Sequence, residues 1–418
     1  MRKIQFVLPK DQTLPRCFLF FFLIICLFLF SFAGNNYFYI ASCLFCIFSL
    51  AFLRLKPLQL SDLFRCFLPI LFICFFGLVN STFSRPIDAR SVIRDFYYVS
   101  QFFVYILFGY FAMSVLGEKN FFFAVVLAAF GISSVNYIRL FLGLNTITFV
   151  RLRLIFLKGA EVSLFASFIL TKKIFEEKKK LVPALIFLFI FTDFVLSFTR
   201  AYLLLLVPFL FVYLVHSLSP KKCIAIFSAI FLIILGLIFA SIFLKITFIT
   251  TFLEKILSSF SEISPFHDWG SQLERTQNWR GYEIYASFSA FSSFDFWGIL
   301  FGKGFGFAVP ISPQPLDGKI FFSLPLLHNG YCSLLVKNGL FGVFGFLLSL
   351  FLFYRSYEQK NAFSKSAFIS LLVYFLIGTL VNQGLFSTAE GFSLLFFGSV
   401  CALPLQNVFF QTRFQIEI

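Results

Sequence analysis

Charge is scarce in this chain of 418 residues, since Asp, Glu, Lys and Arg together make up 13%, about half the share of a soluble domain. Hydrophobic residues make up 60%, and phenylalanine alone supplies 72 positions. Apart from one segment near the middle, no stretch has the mixed composition of a soluble domain. The composition excludes an ordinary soluble protein and predicts an all-α polytopic membrane protein.

The sequence also lacks the common signatures of metal and nucleotide chemistry. It contains no HExxH, no DxD, no P-loop and no serine-hydrolase elbow. Glycines recur at Gly302, Gly304 and Gly306, but no strand precedes them and no Rossmann helix follows, so we interpret this run as a tight turn. Most of the nine cysteines lie inside apolar runs, where they act as small hydrophobes. We therefore expect no metal site and no cofactor.

The excess of basic residues has a topological explanation. A net charge of +15 would suggest nucleic acid on a soluble protein, but here the bases lie mainly in short loops between apolar runs. Such loops stay on the cytoplasmic side of a membrane. We predict the lipid bilayer as the partner, no nucleic acid, and an uncleaved first helix.

About twelve runs approach the roughly 20 apolar residues that a membrane-spanning helix needs. The predicted spans are Cys17–Ala33, Tyr37–Leu53, Leu63–Val79, Phe96–Leu116, Phe121–Leu142, Ile155–Leu170, Leu181–Phe198, Ala201–Leu218, Cys223–Leu244, Asn329–Tyr354, Ser366–Val381 and Gly391–Val408. Alternate loops are rich in Lys and Arg, which predicts that both termini are cytoplasmic. The predicted division is residues 1–245 with spans one to nine, 246–328 as a large loop on the outer side, and 329–418 with spans ten to twelve.

The outer side holds arginine where the cytoplasmic side holds mostly lysine. The outer arginines are Arg85, Arg90, Arg94, Arg139, Arg151, Arg153, Arg200, Arg275 and Arg280. A guanidinium binds phosphate oxygens through two parallel hydrogen bonds, so phosphate recognition is one reason to keep arginine there. Structural pairing with the acids Asp88, Asp95, Glu161 and Asp193 is the other, and both readings stay open.

The polar segment from about residue 246 to 325 is predicted to be irregular, and ordered loops of this length are usually functional. His328 follows it directly, at the start of the tenth span. A histidine there is well placed for acid–base work, although it could equally cap the helix. Lys337 lies within the same span, and ionisable groups at membrane depth are functional candidates. Asp193 and Arg200 would share a face if their helix continued between them.

Four features in order resemble the O-antigen ligase and polymerase superfamily of bacterial cell envelopes. They are Ser197-Phe198-Thr199-Arg200-Ala201, then Arg280 upstream of Gly302-Lys303-Gly304, then His328-Asn329-Gly330-Tyr331, and finally Asn338-Gly339-Leu340-Phe341-Gly342. They cover roughly the C-terminal half of the chain. Lys337 departs from the pattern, because many members carry an acidic residue there.

The resemblance implies a metal-independent glycosyltransferase on the periplasmic face of the bacterial inner membrane, so that the large outer loop would be periplasmic. A hydroxyl of the acceptor, either lipid A core or another glycan, would attack a glycan carried on polyprenyl pyrophosphate. In this reading the catalytic residues are His328, as the base or as the group that orients the acceptor, and Arg280. Arg200, Arg275 and Arg280 bind the pyrophosphate. Asn329, Tyr331 and Lys337 are assigned to the acceptor or to structure.

Three alternatives accompany this reading. The chain could be a polymerase of the same superfamily, a polytopic transporter or flippase, or a catalytically degenerate member with a structural role. Against a transporter, the sequence shows no inverted repeat and no matching pair of Gly/Pro-broken helices.

Overall fold

Helices dominate the computed structural model. The structure describes residues 13–52, 57–83, 88–143, 148–176, 181–197, 199–217, 264, 269–316, 319–357, 362–387 and 391–414. The predicted ninth span, Cys223–Leu244, lies outside these residues, as does most of the segment from 246 to 268.

Helices are numbered here in chain order through the described residues. They are α1 (Thr13–Phe32), α2 (Asn35–Phe52), α3 (Pro57–Phe83), α4 (Ala89–Leu142), α5 (Phe149–Phe156), α6 (Ala160–Glu176), α7 (Leu181–Leu196), α8 (Leu203–Ser217), α9 (Gln272–Gln277), α10 (Trp279–Ser292), α11 (Phe296–Phe301), α12 (Gly330–Ser356), α13 (Ala362–Val381) and α14 (Gly391–Phe414). Short 3₁₀ turns occupy Arg200–Tyr202 and Gly384–Phe386. Strands β1 (Val309–Leu316) and β2 (Lys319–Leu324) form an antiparallel hairpin.

Four helices within the described residues are long and apolar enough to cross a membrane: Ser61–Phe83, Ala89–Leu142, Gly330–Ser356 and Ala362–Val381. Residues Val150–Phe156 and Ala160–Ile174 could form a fifth span, bent by 60°. Shorter apolar helices include Arg16–Phe32, Leu181–Leu196, Arg200–His216 and Gly391–Leu403. A multi-pass membrane protein is therefore confirmed, while the count of twelve spans stays a prediction.

The long helix α4 forms the centre of the bundle. Its backbone breaks at Gly117, where φ is 76°, so the predicted fourth and fifth spans are two segments of one bent element. Gly109 of α4 lies against the backbone of Leu395 in α14, and Gly398 of α14 lies against the backbone of Ile106. Glycines at these contacts let the two helix backbones approach closely, as is common between helices in membranes.

The segment from residue 269 to 324 was expected to be irregular, and this was wrong, because it forms α9, α10, α11 and the hairpin. The rest of the described structure is helical, in keeping with the predicted all-α membrane fold. The predicted tenth span is present as α12, whose backbone breaks at Gly339, where φ is 65°. The condition for Asp193 and Arg200 to share a helix face is not met, because α7 ends at Leu196 and Arg200 opens a separate 3₁₀ turn.

Buried acids in the bundle pair mainly with neutral groups. Asp193 accepts hydrogen bonds from Asn136 at 3.0 Å and Ser163 at 2.7 Å, while Glu161 binds the Ser393 hydroxyl and amide. The donors to these two acids are uncharged, whereas the sequence offered arginine as their partner, and Oε2 of Glu161 has no hydrogen-bond partner among the described residues.

Candidate functional site

The predicted base His328 is held by a buried carboxylate. Its Nδ1 lies 2.9 Å from Oε1 of Glu283, and its backbone N–H donates to Oε2 of the same residue at 2.7 Å. The side chain of Glu283 is 2% exposed, whereas that of His328 is 47% exposed. With Nδ1 directed at Glu283, Nε2 is the ring nitrogen left to act, and it makes no hydrogen bond with the described residues.

Helix α10 supplies this carboxylate. Glu283 lies on the face of α10 that packs into a small core with α12 and the hairpin. The hydroxyl of Tyr282, the preceding residue, accepts a hydrogen bond from the backbone N–H of Ser312 in β1 at 3.0 Å. The helix and hairpin are therefore fixed together, and the position of Glu283 does not depend on His328 alone.

Arg280 lies one helical turn before Glu283, and residues three apart on a helix are neighbours on its surface. Its side chain is half-buried, and its guanidinium makes no hydrogen bond or ion pair with the residues that the structure describes. An arginine with free donors beside a histidine–glutamate pair is suited to bind an anion. The structure thus brings Arg280 to the same helix as the partner of His328.

Arg275 has structural contacts. Its Nε donates to Oε1 of Gln314 at 3.3 Å, and its Nη1 donates to the carbonyl of Trp269 at 3.0 Å. The guanidinium also lies 5.7 Å from the centre of the Tyr282 ring. These contacts tie α9 to the hairpin and to α10. Binding of pyrophosphate by Arg275 stays a prediction.

Arg200 opens the 3₁₀ turn after α7, with Thr199 at the cap position and the side chain half-buried. The turn leads directly into α8, which packs on α13. Its role in binding pyrophosphate stays a prediction.

The start of α12 shows that the cap belongs to Asn329. The side chain of Asn329 accepts a hydrogen bond from the backbone N–H of Cys332 at 3.0 Å. Tyr331 donates from its hydroxyl to the carbonyl of Leu376 in α13 at 2.8 Å, and Gly330 donates to the carbonyl of Asn382 at the same distance. These contacts fix the end of the helix that follows His328, and they give Asn329 and Tyr331 structural positions.

Lys337 is buried in an ion pair with Asp95 of α4. Its Nζ lies 2.5 Å from Oδ2 of Asp95 and also donates to the carbonyl of Pro325 at 2.9 Å. The two side chains are 1% and 0% exposed. Arg94 approaches the other oxygen of Asp95 at 3.3 Å. Lys337 therefore joins α4 to the short link between β2 and His328.

The glycine-rich segment 302–306 enters the bundle at the same place. Gly306 donates to Oδ2 of Asp95 at 2.8 Å, and Gly304 donates to the carbonyl of Lys337 at 2.9 Å. Phe305 donates to the carbonyl of Gly77 in α3 at 2.8 Å. A turn is confirmed here, and its backbone also joins α3, α4 and the broken part of α12.

An ion pair fixes the entrance to this segment. The ammonium of Lys303 donates to Asp295, the residue that precedes α11, at 2.7 Å. This hydrogen bond to the charged form lowers the pKa of the Asp295 carboxyl below its usual value. Asp295 is consequently charged at neutral pH and keeps Lys303 beside α11.

His328 can accept a proton in this arrangement, and Arg280 can bind an anion. A carboxylate hydrogen-bonded to Nδ1 selects the tautomer in which Nε2 is free to accept a proton, and it stabilises the imidazolium that results. Arg280 on the same helix offers positive charge for a leaving group. Within the described residues, no three His, Cys, Asp or Glu side chains come together as a candidate metal site.

Residues 185–347 match the model of the family described as O-Antigen ligase. The match confirms the superfamily predicted from the sequence, and it implies a membrane glycosyltransferase of the ligase or polymerase type. The matched segment includes Arg200, Arg280, Glu283 and His328, whereas Asp95 lies outside it. No curated protein matches the chain.

Sequence reasoning missed two residues of this site. Glu283 is one of several polar residues in the long segment, and only its spacing of three from Arg280 distinguishes it. Asp95 was noted only as a possible partner of an arginine, and it is 242 residues away from Lys337. Nothing in the local sequence connects that pair.

Proposed function

We propose that this protein transfers a glycan from polyprenyl pyrophosphate to a hydroxyl acceptor on the periplasmic face of the bacterial inner membrane. The observation that carries the proposal is the pairing of an exposed His328 ring with a buried Glu283. Such a pair is what a sugar hydroxyl needs in order to become a better nucleophile, and general bases contribute about 10²–10⁴-fold.

The proposed reaction is a substitution at the anomeric carbon. Nε2 of His328 takes the proton of the acceptor hydroxyl as its oxygen attacks, and the bond from the anomeric carbon to the pyrophosphate oxygen breaks. Glu283 stabilises the imidazolium that forms. Pyrophosphate is a good leaving group, so it requires positive charge more than a strong acid.

Arg280 is the first residue assigned to that charge, because its donors are unused within the described residues and it shares a helix with Glu283. Arg200 is assigned with it on the resemblance alone. Fixed guanidinium groups in a site with little water stabilise developing negative charge strongly. Arg275 is assigned mainly to holding α9, α10 and the hairpin together, because its contacts lie there.

The acceptor we propose is lipid A core, which makes the protein ligase-like, in keeping with the description of the matched family. Glycan profiling of a strain that lacks the gene tests this. Loss of all polymeric glycan from lipid A supports the ligase. A single repeat left on lipid A would instead identify a polymerase of the same superfamily.

Complementation of the same strain tests the site. The wild-type gene should restore surface glycan, whereas His328→Ala and Arg280→Ala should not, at equal protein levels in the membrane. Full restoration by both variants would contradict the assignment.

A further inference from the structure

An apolar groove of about 380 Å³ runs between α3 and α12. The two helices are antiparallel, since Asn338 contacts the carbonyl of Ile73 while Ser349 contacts the carbonyl of Cys66. The walls are large side chains from both helices, among them Leu68, Phe72 and Phe76 from α3 and Phe341, Phe344 and Leu348 from α12.

The groove forms because the backbones of α3 and α12 lie close together at its floor. A Cβ atom built on Gly345 would lie 3.3 Å from the carbonyl oxygen of Pro69 and 3.3 Å from the side chain of Ile73. The backbones thus approach closely at Gly345, and the larger side chains on either side stand outward. Phe72 and Phe344 are 54% and 62% exposed, so the groove opens to the surface of the bundle that would face lipid.

The two ends of the groove differ in chemistry. Phe301 lies beside one end, where its ring is tilted against that of Phe76, with 4.9 Å between centres, and is stacked on that of Phe341 at 4.8 Å. Arg65 lines the other end. The groove is therefore apolar along its length, aromatic where it meets α11, and basic where it meets the opposite face of the membrane.

A second arginine lies at the basic end. The thiol of Cys66 is 3.6 Å from the hydroxyl of Ser356, and Arg65 and Arg355 are the chain neighbours of these two residues. Asp62 contacts Arg65 at 3.5 Å, but the two side chains are 54% and 76% exposed. Exposed pairs of this kind are weak, so both guanidinium groups remain able to bind an anion.

The length of the groove indicates which kind of lipid chain can fill it. Arg65 and Phe76 are 11 residues apart on α3, which corresponds to about 16 Å along a helix. That is close to half of the roughly 30 Å hydrocarbon core of a bilayer, and hence to the depth of one leaflet. An acyl chain anchored in one leaflet matches this length, while a polyprenyl chain of many isoprene units does not.

We propose that this groove is a binding site for an anionic glycerophospholipid. One acyl chain lies between α3 and α12, and the phosphate is bound by Arg65 and Arg355. Basic residues beside a groove between membrane helices are the usual setting for acidic headgroups. The arginines that bind the phosphate lie at the end of the helix pair opposite to Lys337, whereas the far end of the groove is lined by Asn338, the residue next to Lys337. The proposal does not depend on the proposed transfer reaction.

Lipid titration of the full-length protein in detergent, followed by native mass spectrometry, tests the proposal. The probes are phosphatidylglycerol and phosphatidylcholine with identical chains. We expect phosphatidylglycerol to bind at least about fivefold more tightly, and the double variant Arg65→Gln, Arg355→Gln to lose that preference. Lys173→Gln, at the exposed end of α6, should keep it.

Blocking the groove provides the second arm. Leu348→Trp should weaken the binding of both lipids, whereas Leu347→Trp, the next residue but outside the groove lining, should not. If Leu348→Trp does not fold, Leu68→Trp blocks the groove from α3. The proposal would be overturned if the two lipids bound equally or if the blocked variants bound as the wild type does. Displacement of phosphatidylglycerol by polyprenyl phosphate, or dimerisation of the protein through this face, would also overturn it.

Discussion

Oε1 of Glu283 lies 2.9 Å from Nδ1 of His328, and Oε2 of the same carboxylate accepts the backbone N–H of His328 at 2.7 Å. One buried side chain therefore fixes both the ring and the backbone of the proposed base. Because Glu283 is fixed from α10 and His328 from the start of α12, the pair also depends on how those two helices pack.

Replacing Glu283 by Gln should reduce the rate of glycan transfer by at least about 10-fold, because the carboxylate that orients the His328 ring is lost. The shape is kept, but the negative charge that stabilises the imidazolium is lost. Transfer rates of the purified variants measure this. Glu274→Gln on the neighbouring helix α9 is the matched control and should retain the wild-type rate within about twofold. A Glu283→Gln rate equal to that of the control would remove Glu283 from the mechanism.

Replacing Lys337 by Met should destabilise the protein by about 3 kcal/mol, because the carboxylate of Asp95 loses its buried partner and retains Arg94, at 3.3 Å and 27% exposed. Adding Asp95→Asn should recover part of this loss, since the amide oxygen can still accept the N–H of Gly306. Thermal unfolding in detergent measures both effects. The control is Lys172→Met, whose partner Glu118 is also at 2.5 Å but is 35% exposed, and it should cost about 1 kcal/mol or less. Equal losses at the two lysines would contradict the account.

Gly304→Ala should destabilise the turn of residues 302–306. Gly304 has φ of +89°, and a Cβ there would meet the backbone of Asn80 and Ser81. We expect a loss of more than about 1 kcal/mol in unfolding free energy. Gly378→Ala in α13 should be neutral or stabilising, because its Cβ would meet only the Tyr374 ring at 3.4 Å or more. Thermal unfolding of the two variants measures this difference. Equal stability of Gly304→Ala and Gly378→Ala would show that the turn does not require a glycine at 304.

Replacing Arg280 should lower the transfer rate, whereas replacing Arg275 should lower the free energy of unfolding. Arg280→Ala should change the unfolding free energy by less than about 0.5 kcal/mol, because no hydrogen bond of its guanidinium to the described residues is lost, while transfer falls strongly. Arg275→Ala should cost about 1–2 kcal/mol, since it removes the hydrogen bonds to Gln314 and Trp269. Unfolding and transfer measured on the same preparations test this. The reverse pattern would exchange the roles of the two arginines.

The sequence was sufficient to predict a multi-pass helical membrane protein, and it singled out His328 as a candidate. Runs of Phe and Leu mark helices in lipid by composition alone, and the junction between a polar segment and an apolar span singled out the histidine. The hairpin could not be predicted, because Pro310, Pro313 and Pro315 argue against a strand. Such prolines are tolerated at sheet edges, and a two-stranded hairpin consists only of edges.

The partners of the site residues depend on tertiary structure. Asp95 reaches Lys337 only because the segment around Gly304 places α3, α4 and the break in α12 together. Glu283 reaches His328 only because α10 packs on the start of α12. Periodicity and charge patterns report the face that a residue occupies within its own helix, and they carry no information on which distant element will cover that face.

The most direct measurement is glycan transfer by the purified protein in liposomes, from a polyprenyl-pyrophosphate-linked glycan to lipid A core, for the wild type and His328→Ala. We predict that the variant folds with an unchanged melting temperature and loses at least about 100-fold in transfer rate. A folded His328→Ala protein that transfers glycan within about threefold of the wild-type rate would contradict the central claim.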